Sequence, residues 1–372
     1  MTIRSVELRE VELELRTPFV TAAGTVSHRR ILVLRLITDS QEGWAECSAD
    51  GQPYSAPESS ATAWRILVDD LLPGLVAAEA PDPAAVAWDT TGRPMAVAAV
   101  EAALWDLHAR QAGLPLAVAL GGYVRPVGAR AVLGVTDPTG LLRSAESAVA
   151  AGYRAIKAKI APRRGDGLDG LRAAFPDLDI AADANGSFDP HDPAHVLELA
   201  ALDRLGLSFI EQPFTRGDLA QTAALRATIG TPICLDEDVR SVPDAASVMK
   251  AGATDLLNLK SPRVGGHGPA RRIVALSADA GIGVWWGGLL ETGIGRAHAV
   301  AAATMVTQGD LPADLAASDR YYVRDVTEPW VLQNGALRPS DRPGIGVDVD
   351  IDALDHLTIR AIRLGDDHTA ET

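Results

Sequence analysis

Five charged residues recur at nearly even intervals through the middle of the chain: Lys159, Asp183, Glu211, Asp236 and Lys260, separated by 24, 28, 25 and 24 positions. Each lies at the end of a short apolar run, in "AIKAKI", "DIAADAN", "LSFIEQP", "PICLDE" and "DLLNLKS". A lone acid in such a place is commonly a surface salt bridge or a helix cap. Five in register would be costly to desolvate unless they served one another through something shared. Three carboxylates without histidine or cysteine beside them suit a hard divalent cation, Mg²⁺ with Mn²⁺ as a substitute, which takes oxygen ligands and leaves positions for substrate oxygens. Zinc is disfavoured by ligand softness. Lys157 and Lys159, two apart on one strand, share a face. Two like charges in a partly dry mouth disfavour protonation of one, so Lys159 is expected to act as a base near neutral pH. Lys260 arrives from the far side of the carboxylates. A lysine on each side of a metal-bound substrate is what proton removal beside a carboxylate requires.

The spacing of these residues is one βα unit per step. Short apolar strands alternate with alanine-rich helical segments from about Arg130, including "ARAVLGV" before the five and "GIGVWWGG" after them, with "DLPADLA" as a weaker eighth candidate. Seven or eight such units in about 190 residues imply a parallel sheet closed into a barrel, an α/β fold whose strand ends gather at one mouth. Before them the chain shows strand alternation (Val6, Leu8, Val11, Leu13, Leu15), a small polar interruption "PFVTAAGTVSHRR" expected to be a mobile loop, a strand Ile31 to Ile37, and helices near Pro57–Ala78 and Met95–Gln111. The expected division is a capping domain 1–126, a barrel 127–320 and a C-terminal segment 321–372 that packs back on the cap.

Other residues take supporting places. Asn185 and Asp238 lie two positions beyond Asp183 and Asp236 on the same faces, and Glu237 is placed to pair with a lysine. Arg263 has the reach to meet a substrate's distal carboxylate, against plain exposure on a loop. "RVGGHG" lacks the lysine and hydroxyl residue of a phosphate loop and reads as a βα turn. Backbone amides after Gly288, at Leu289 and Leu290, are candidates to hold a carboxylate, whereas Glu291 reads as structural. One of Trp285 and Trp286 is expected in the core and the other at the pocket. His191, His195, His267 and His298 are expected to be packing or solvent residues, and Cys234 a core residue below Asp236.

Composition narrows the partners. Of 372 residues 47% are hydrophobic and 22% charged, and 49 acids against 34 bases give a formal net charge of −15. That balance excludes nucleic acid and anionic membrane as expected partners while permitting a small anionic carboxylate substrate in a local basic pocket. Two cysteines make no disulfide framework, and the N-terminus lacks the apolar centre of a signal peptide, so a cytoplasmic protein is expected.

In order and spacing, "KAK", "DAN", "EQP", "DE" and "LKSPRVGG" resemble the enolase superfamily, in its muconate lactonizing enzyme subgroup. The finer text "LRAAFPDLDIAADANGSF", "TPICLDED", "GGLLETGIGRAHAVAAA" and "SDRYYVRDVTEPWVL" is similar to the o-succinylbenzoate synthase / N-succinylamino acid racemase family, with "TPFVTAAGT" matching near the N-terminus. The resemblance implies a modified (β/α)8, TIM-like barrel of (β/α)7β type under an α+β capping domain. It implies metal ligands Asp183, Glu211 and Asp236, catalytic Lys159 and Lys260, and a cap loop at about Phe19–Ser27 that closes over substrate. It implies dehydration to o-succinylbenzoate for menaquinone synthesis, racemization of N-succinyl amino acids, or both, by a homo-oligomer. Two rivals use the same lysines. Dipeptide epimerases carry D-x-D near the eighth strand, where "ADLAASD" here has Ala316 at the second acid, and muconate cycloisomerases act on a diacid. A non-catalytic, metal-stabilised barrel would have no need of opposed lysines.

Overall fold

The computed structural model describes residues 1–21, 24–53, 56–134, 137–163, 167–306 and 311–365. The chain opens with three antiparallel strands: β1 (Ser5–Thr21), β2 (Gly24–Ile37) and β3 (Glu42–Cys47). They are buried on both faces, which explains why "ILVLRLI" is a nearly continuous apolar run. Val6, Leu8, Leu32, Leu34 and Leu36 face the helices α1 (Ser60–Arg65) and α2 (Pro94–Gln111), while Val11, Leu13, Leu15, Ile31 and Val33 face the core of the following domain. A residue pattern that changes phase between Leu8 and Val11 is thus one strand whose apolar load passes from one side of the sheet to the other. Helix α2 is apolar nearly all round because it too is enclosed.

The interruption expected as a loop is instead largely strand. The β1–β2 ladder breaks after Glu14–His28 and resumes at Phe19–Val26, Val20–Thr25 and Thr21–Gly24. Ala22 and Ala23, within the expected closing loop, lie outside the described residues.

The barrel follows. Its strands are β4 (Arg130–Leu133), β5 (Ala155–Lys159), β6 (Asp179–Asp183), β7 (Ile210–Glu211), β8 (Ile233–Leu235), β9 (Leu256–Leu259) and β10 (Gly283–Trp286), parallel and paired in sequence order. The connecting helices are α3 (Pro138–Ala150), α4 (Gly167–Ala174), α5 (Pro193–Ala201), α6 (Leu219–Arg226), α7 (Val242–Lys250), α8 (His267–Ala280) and α9 (Gly293–Ala303). Asp137, Asp192, Ser241 and Thr292 cap four of them through their side chains, the first three with proline in the first turn. The weak eighth candidate closes the ring with only a few bonds. Ala313 N donates to Gly128 O (2.7 Å), Arg130 N to Ala313 O (2.8 Å), and Asp314 N to Trp286 O (2.8 Å). This joins β10 to β4, so the parallel sheet is a modified TIM barrel. Near the C-terminus β11 (Thr358–Gly365) returns to the cap and pairs antiparallel with β1.

Candidate active site

Alternation along the barrel strands sets which side chains point inward. Ala181, Phe209, Cys234 and Trp285 form an apolar plug inside the barrel, with Cys234 fully buried. One layer nearer the strands' C-terminal ends stand the charged residues. Lys159 pairs in register with Asp183, and Asp183 with Glu211. Asp236 and Lys260 follow just beyond the ends of β8 and β9. The strand order therefore reads lysine, three acids, lysine across one mouth.

The side chains meet there. Lys159 Nζ lies 2.7 Å from Asp183 Oδ2 and 2.6 Å from Asn185 Oδ1. Lys157 Nζ, one layer deeper, is 3.0 Å from each of Asp183 Oδ2, Glu211 Oε2 and Asp314 Oδ2, and 5.2 Å from the centre of the Trp285 ring. Lys260 Nζ is 2.5 Å from Asp236 Oδ1, an atom that also accepts from Arg263. Asn258 donates to Glu211 Oε1 at 2.8 Å. Asp183, Glu211, Asp236, Lys157 and Lys260 are buried, whereas the Lys159 side chain keeps 23% of its surface accessible. Lys159 is thus the member of this set most open to an incoming molecule.

Charge crowding shows in the acidities. Burial, then the neighbouring Asp183, pushes the Glu211 carboxyl up to about 8, against the pull of Lys157. Burial opposes ionisation of Asp183 and Asp236 as well, but Lys157 and Lys159 hold the first below its ordinary range, and Arg263 and Lys260 hold the second well below. Lys159 differs from expectation: burial and Lys157 favour its neutral form, but Asp183 and Glu211 outweigh them and raise its pKa. Three acids face the lysine pair, so repulsion between lysines does not dominate.

Several supporting residues are placed differently from their sequence reading. Glu237 meets no lysine; its Oε1 accepts from Asn185 at 3.0 Å. Asp238 holds the loop after β7, through Gln212 Nε2 (2.7 Å) and Gly217 N (2.8 Å). Arg263 is buried against Asp236 rather than extended toward a distal carboxylate. The Leu289 amide is occupied by Glu291 Oε1 at 2.8 Å, and Leu290 offers its carbonyl to Tyr322. Gly288 matters for space, because a Cβ there would lie 2.1 Å from Asp314 O. Glu291 is structural, paired with Arg296 at 2.7 Å. Both tryptophans are buried, Trp285 inside the barrel and Trp286 outside it. His267 and His298 pack between barrel and cap, their ring nitrogens 3.1 Å apart, with His298 Nε2 against Trp44 O. His195 stands in the first turn of α5, its Nδ1 accepting from Asp189 N, and His191, on the loop before it, is tied by its own backbone N–H to Asp189.

Asp314 and Asn258 were not singled out from sequence. Asn258 sits two positions before Lys260, a spacing that signals the same face. Asp314 was hidden in a strand too short to show periodicity.

The donor set fits a hard divalent cation. Asp183, Glu211 and Asp236 present buried oxygens on neighbouring strands, Glu211 is strained by its acidic neighbours, and the buried Oε2 of Glu237 beside them has no hydrogen-bond partner. Among the described residues no cluster of histidine, cysteine or acid is already arranged as a metal cage. The ammonium groups of Lys157, Lys159 and Lys260 contact these oxygens.

Residues 3–121 match the family described as "Mandelate racemase / muconate lactonizing enzyme, N-terminal domain", and residues 140–353 that described as "Enolase C-terminal domain-like". The chain is 40% identical to an o-succinylbenzoate synthase of Geobacillus stearothermophilus over 94% of each chain. It is 38% identical to an N-succinylamino acid racemase of an Amycolatopsis species over 98% of this chain and all of that one. A crystal structure of a dipeptide epimerase from Cytophaga hutchinsonii, complexed with Mg and a dipeptide, superposes with a TM-score of 0.88 at 25% identity, covering 98% of this chain and all of that one.

Proposed function

The chain belongs to the mandelate racemase / muconate lactonizing enzyme family of enolase-like proteins, and we propose that it removes the α-proton of a small anionic carboxylate as an o-succinylbenzoate synthase, an N-succinylamino acid racemase, or both. The observation that carries this reading is the placement of Lys159 and Lys260 at opposite ends of the row Asp183, Glu211 and Asp236. Full-length similarity to relatives bearing both names supports both activities.

Lys159 Nζ takes the proton from the α-carbon, and the electron pair passes into the carboxylate to form an enediolate. In dehydration the electron pair of the enediolate forms the new double bond as the C–O bond breaks, Lys159 returns its proton to the hydroxyl, which leaves as water from the same face, and Lys260 remains an ammonium that stabilises the charge. In racemization Lys260 returns a proton to the opposite face, and the roles reverse for the other enantiomer. When bound by Asp183, Glu211 and Asp236, Mg²⁺ or Mn²⁺ supplies positive charge to the substrate carboxylate and to these acids, which relieves their pull on the lysine protons. Lys157 stays protonated: burial opposes its charge, but Asp183, Asp314 and Glu211 raise its pKa well above the ordinary value. It therefore acts as a fixed cation beneath the row. Dipeptide epimerization is the weaker reading, since Asp314 is engaged by Lys157 and Ala316 is buried where a second acid would be needed.

The test is a paired assay on the synthase substrate and on N-succinyl amino acids, with α-proton exchange followed in D₂O. Lys159→Ala and Lys260→Ala should each abolish racemization and retain exchange on opposite enantiomers. Parental exchange on both enantiomers by both variants would overturn the two-base assignment.

A further inference from the structure

The segment between Lys260 and α8 is a compact unit gripped from the cap. Arg263 N and Val264 N donate to Lys260 O at 3.1 and 3.3 Å, and Gly266 N donates to Ser261 O at 2.8 Å. The unit ends in two left-handed glycines, Gly265 at φ +96° and Gly266 at φ +124°. Both are pressed by cap side chains: a Cβ on Gly265 would lie 2.4 Å from Thr90 Cγ2, and one on Gly266 2.3 Å from Glu101 Oε2. Glu101, fully buried on α2, accepts from His267 N at 2.7 Å, Gly268 N at 2.6 Å and Trp105 Nε1 at 3.0 Å. The first two are amides of the opening turn of α8, which lack partners within the helix and favour an anion. The segment after Lys159 is tied differently. Among the described residues its bonds run within the barrel, from Ile160 N to Asp183 O and from Arg163 N to Glu198.

We propose that Glu101 is a positioning residue for Lys260: through the His267 and Gly268 amides it fixes the far end of the Lys260–Gly266 turn, so that the cap sets the placement of one of the two lysines and not of the other. The proposal rests on the reading that each lysine serves one face of the α-carbon. With barrel strands fixing Lys260 at its own end, and Glu101 fixing the turn six residues on, the side chain has little freedom to leave Asp236. Releasing the second point lets the turn shift, and a misplacement of about 1 Å costs a reacting group about 100-fold.

The test is Glu101→Gln in the full-length protein. The amide keeps the volume but has one oxygen for two backbone N–H groups, so one of them faces an NH₂ donor. Exchange in D₂O should fall about tenfold or more for the enantiomer that Lys159→Ala still exchanges, and stay within about twofold for the other. Gly268→Ala is the second variant, since its Cβ would meet Glu101 Oε1 at 3.0 Å and displace the same carboxylate from the barrel side; it should skew exchange in the same sense if Glu101→Gln does not fold. An equal fall on both enantiomers, or lower thermal stability with an unchanged enantiomer ratio, would overturn the proposal. Failure of the two-face reading would show separately, as single-lysine variants that do not split the enantiomers, and the proposal would fall with it.

Discussion

Replacing Lys157 by methionine removes the ammonium at the centre of the site while keeping the side chain's length. Three carboxylate oxygens stand 3.0 Å from that nitrogen. At an effective permittivity of about 20 each such pair is worth about 5 kcal/mol before desolvation, most of which desolvation cancels; removing one partner of a buried pair costs about 3–5 kcal/mol net. The three acids do not share that cost equally. Asp183 keeps Lys159, and Asp314, with 12% of its side chain accessible, can turn toward water. Among the described residues Glu211 keeps one side-chain hydrogen bond, from the amide of Asn258, and the more distant charge of Lys260. Its carboxyl is already pushed up to about 8, so protonation limits the penalty at lower pH. A carboxyl that holds its proton more tightly folded than unfolded contributes stability below its unfolded pKa and loses it as pH rises through the folded one. Lys157→Met should therefore cost about 3 kcal/mol near pH 9 and less near pH 6. At about 2 °C per kcal/mol this is a fall of about 6 °C in Tm. Magnesium at 100 times its Kd should restore about 2.7 kcal/mol if it binds only the folded state, and should raise the variant's Tm more than the parent's. Calorimetric scans at the two pH values, with and without magnesium, measure all of this. A fall under about 2 °C, equal at both pH values, would refute the reasoning.

Arg263→Ala leaves Asp236 to Lys260 alone, so kcat/KM should fall about tenfold on N-succinyl and N-acetyl substrates alike; a loss confined to succinyl substrates would instead indicate a distal contact. Gly288→Ala drives a Cβ toward the Asp314 carbonyl and should cost about 1–3 kcal/mol by thermal unfolding, with no loss implying that the 2.1 Å approach relaxes freely. Glu46 is pushed by burial from 4.5 to about 7 while its oxygens receive the Thr292 and Gly295 amides. Its stability contribution is complete below about 4.5 and lost as pH rises through about 7, an upper limit of about 3 kcal/mol. Glu46→Gln should flatten the Tm profile across that window, and an unchanged slope would count against the titration.

The residues that could be read from sequence are those whose spacing carries the unit of the fold. Lys159, Asp183, Glu211, Asp236 and Lys260 each sit at the same point of a strand–helix repeat, and alternation within "IKAKI" was enough to turn both lysines inward. Asp314 escaped because the closing segment makes bridges rather than a ladder, too short for a period to show. Glu101 escaped for a different reason. An acid in an alanine-rich helix looks like a solvated position, and only the packing of α2 on α8 reveals the two amides waiting for it. Arg263 lies against Asp236: reach can be judged from sequence, but which acid it meets depends on the turn that begins at Lys260. The phase change in β1 was visible as residues, yet its meaning required knowing that both sides of the sheet are covered.

The charges of the site also bear on how so acidic a protein would draw the anionic substrate proposed for it. Lys157, Lys159, Lys260 and Arg263 stand among five carboxylates: Asp183, Glu211, Asp236, Glu237 and Asp314. With these groups ionised the set is net negative by one, on a chain of formal charge −15. A divalent cation makes the same set net positive by one. Buried charges are screened little by salt, so this local sign outweighs a surface charge spread over the whole protein. On the proposed reading, the arrangement would tie affinity for a carboxylate substrate to occupancy of the acids. On the proposed two-lysine reading, a cation held by Asp183, Glu211 and Asp236 would take over part of the neutralisation of these acids and leave Lys159 and Lys260 to exchange protons with the α-carbon.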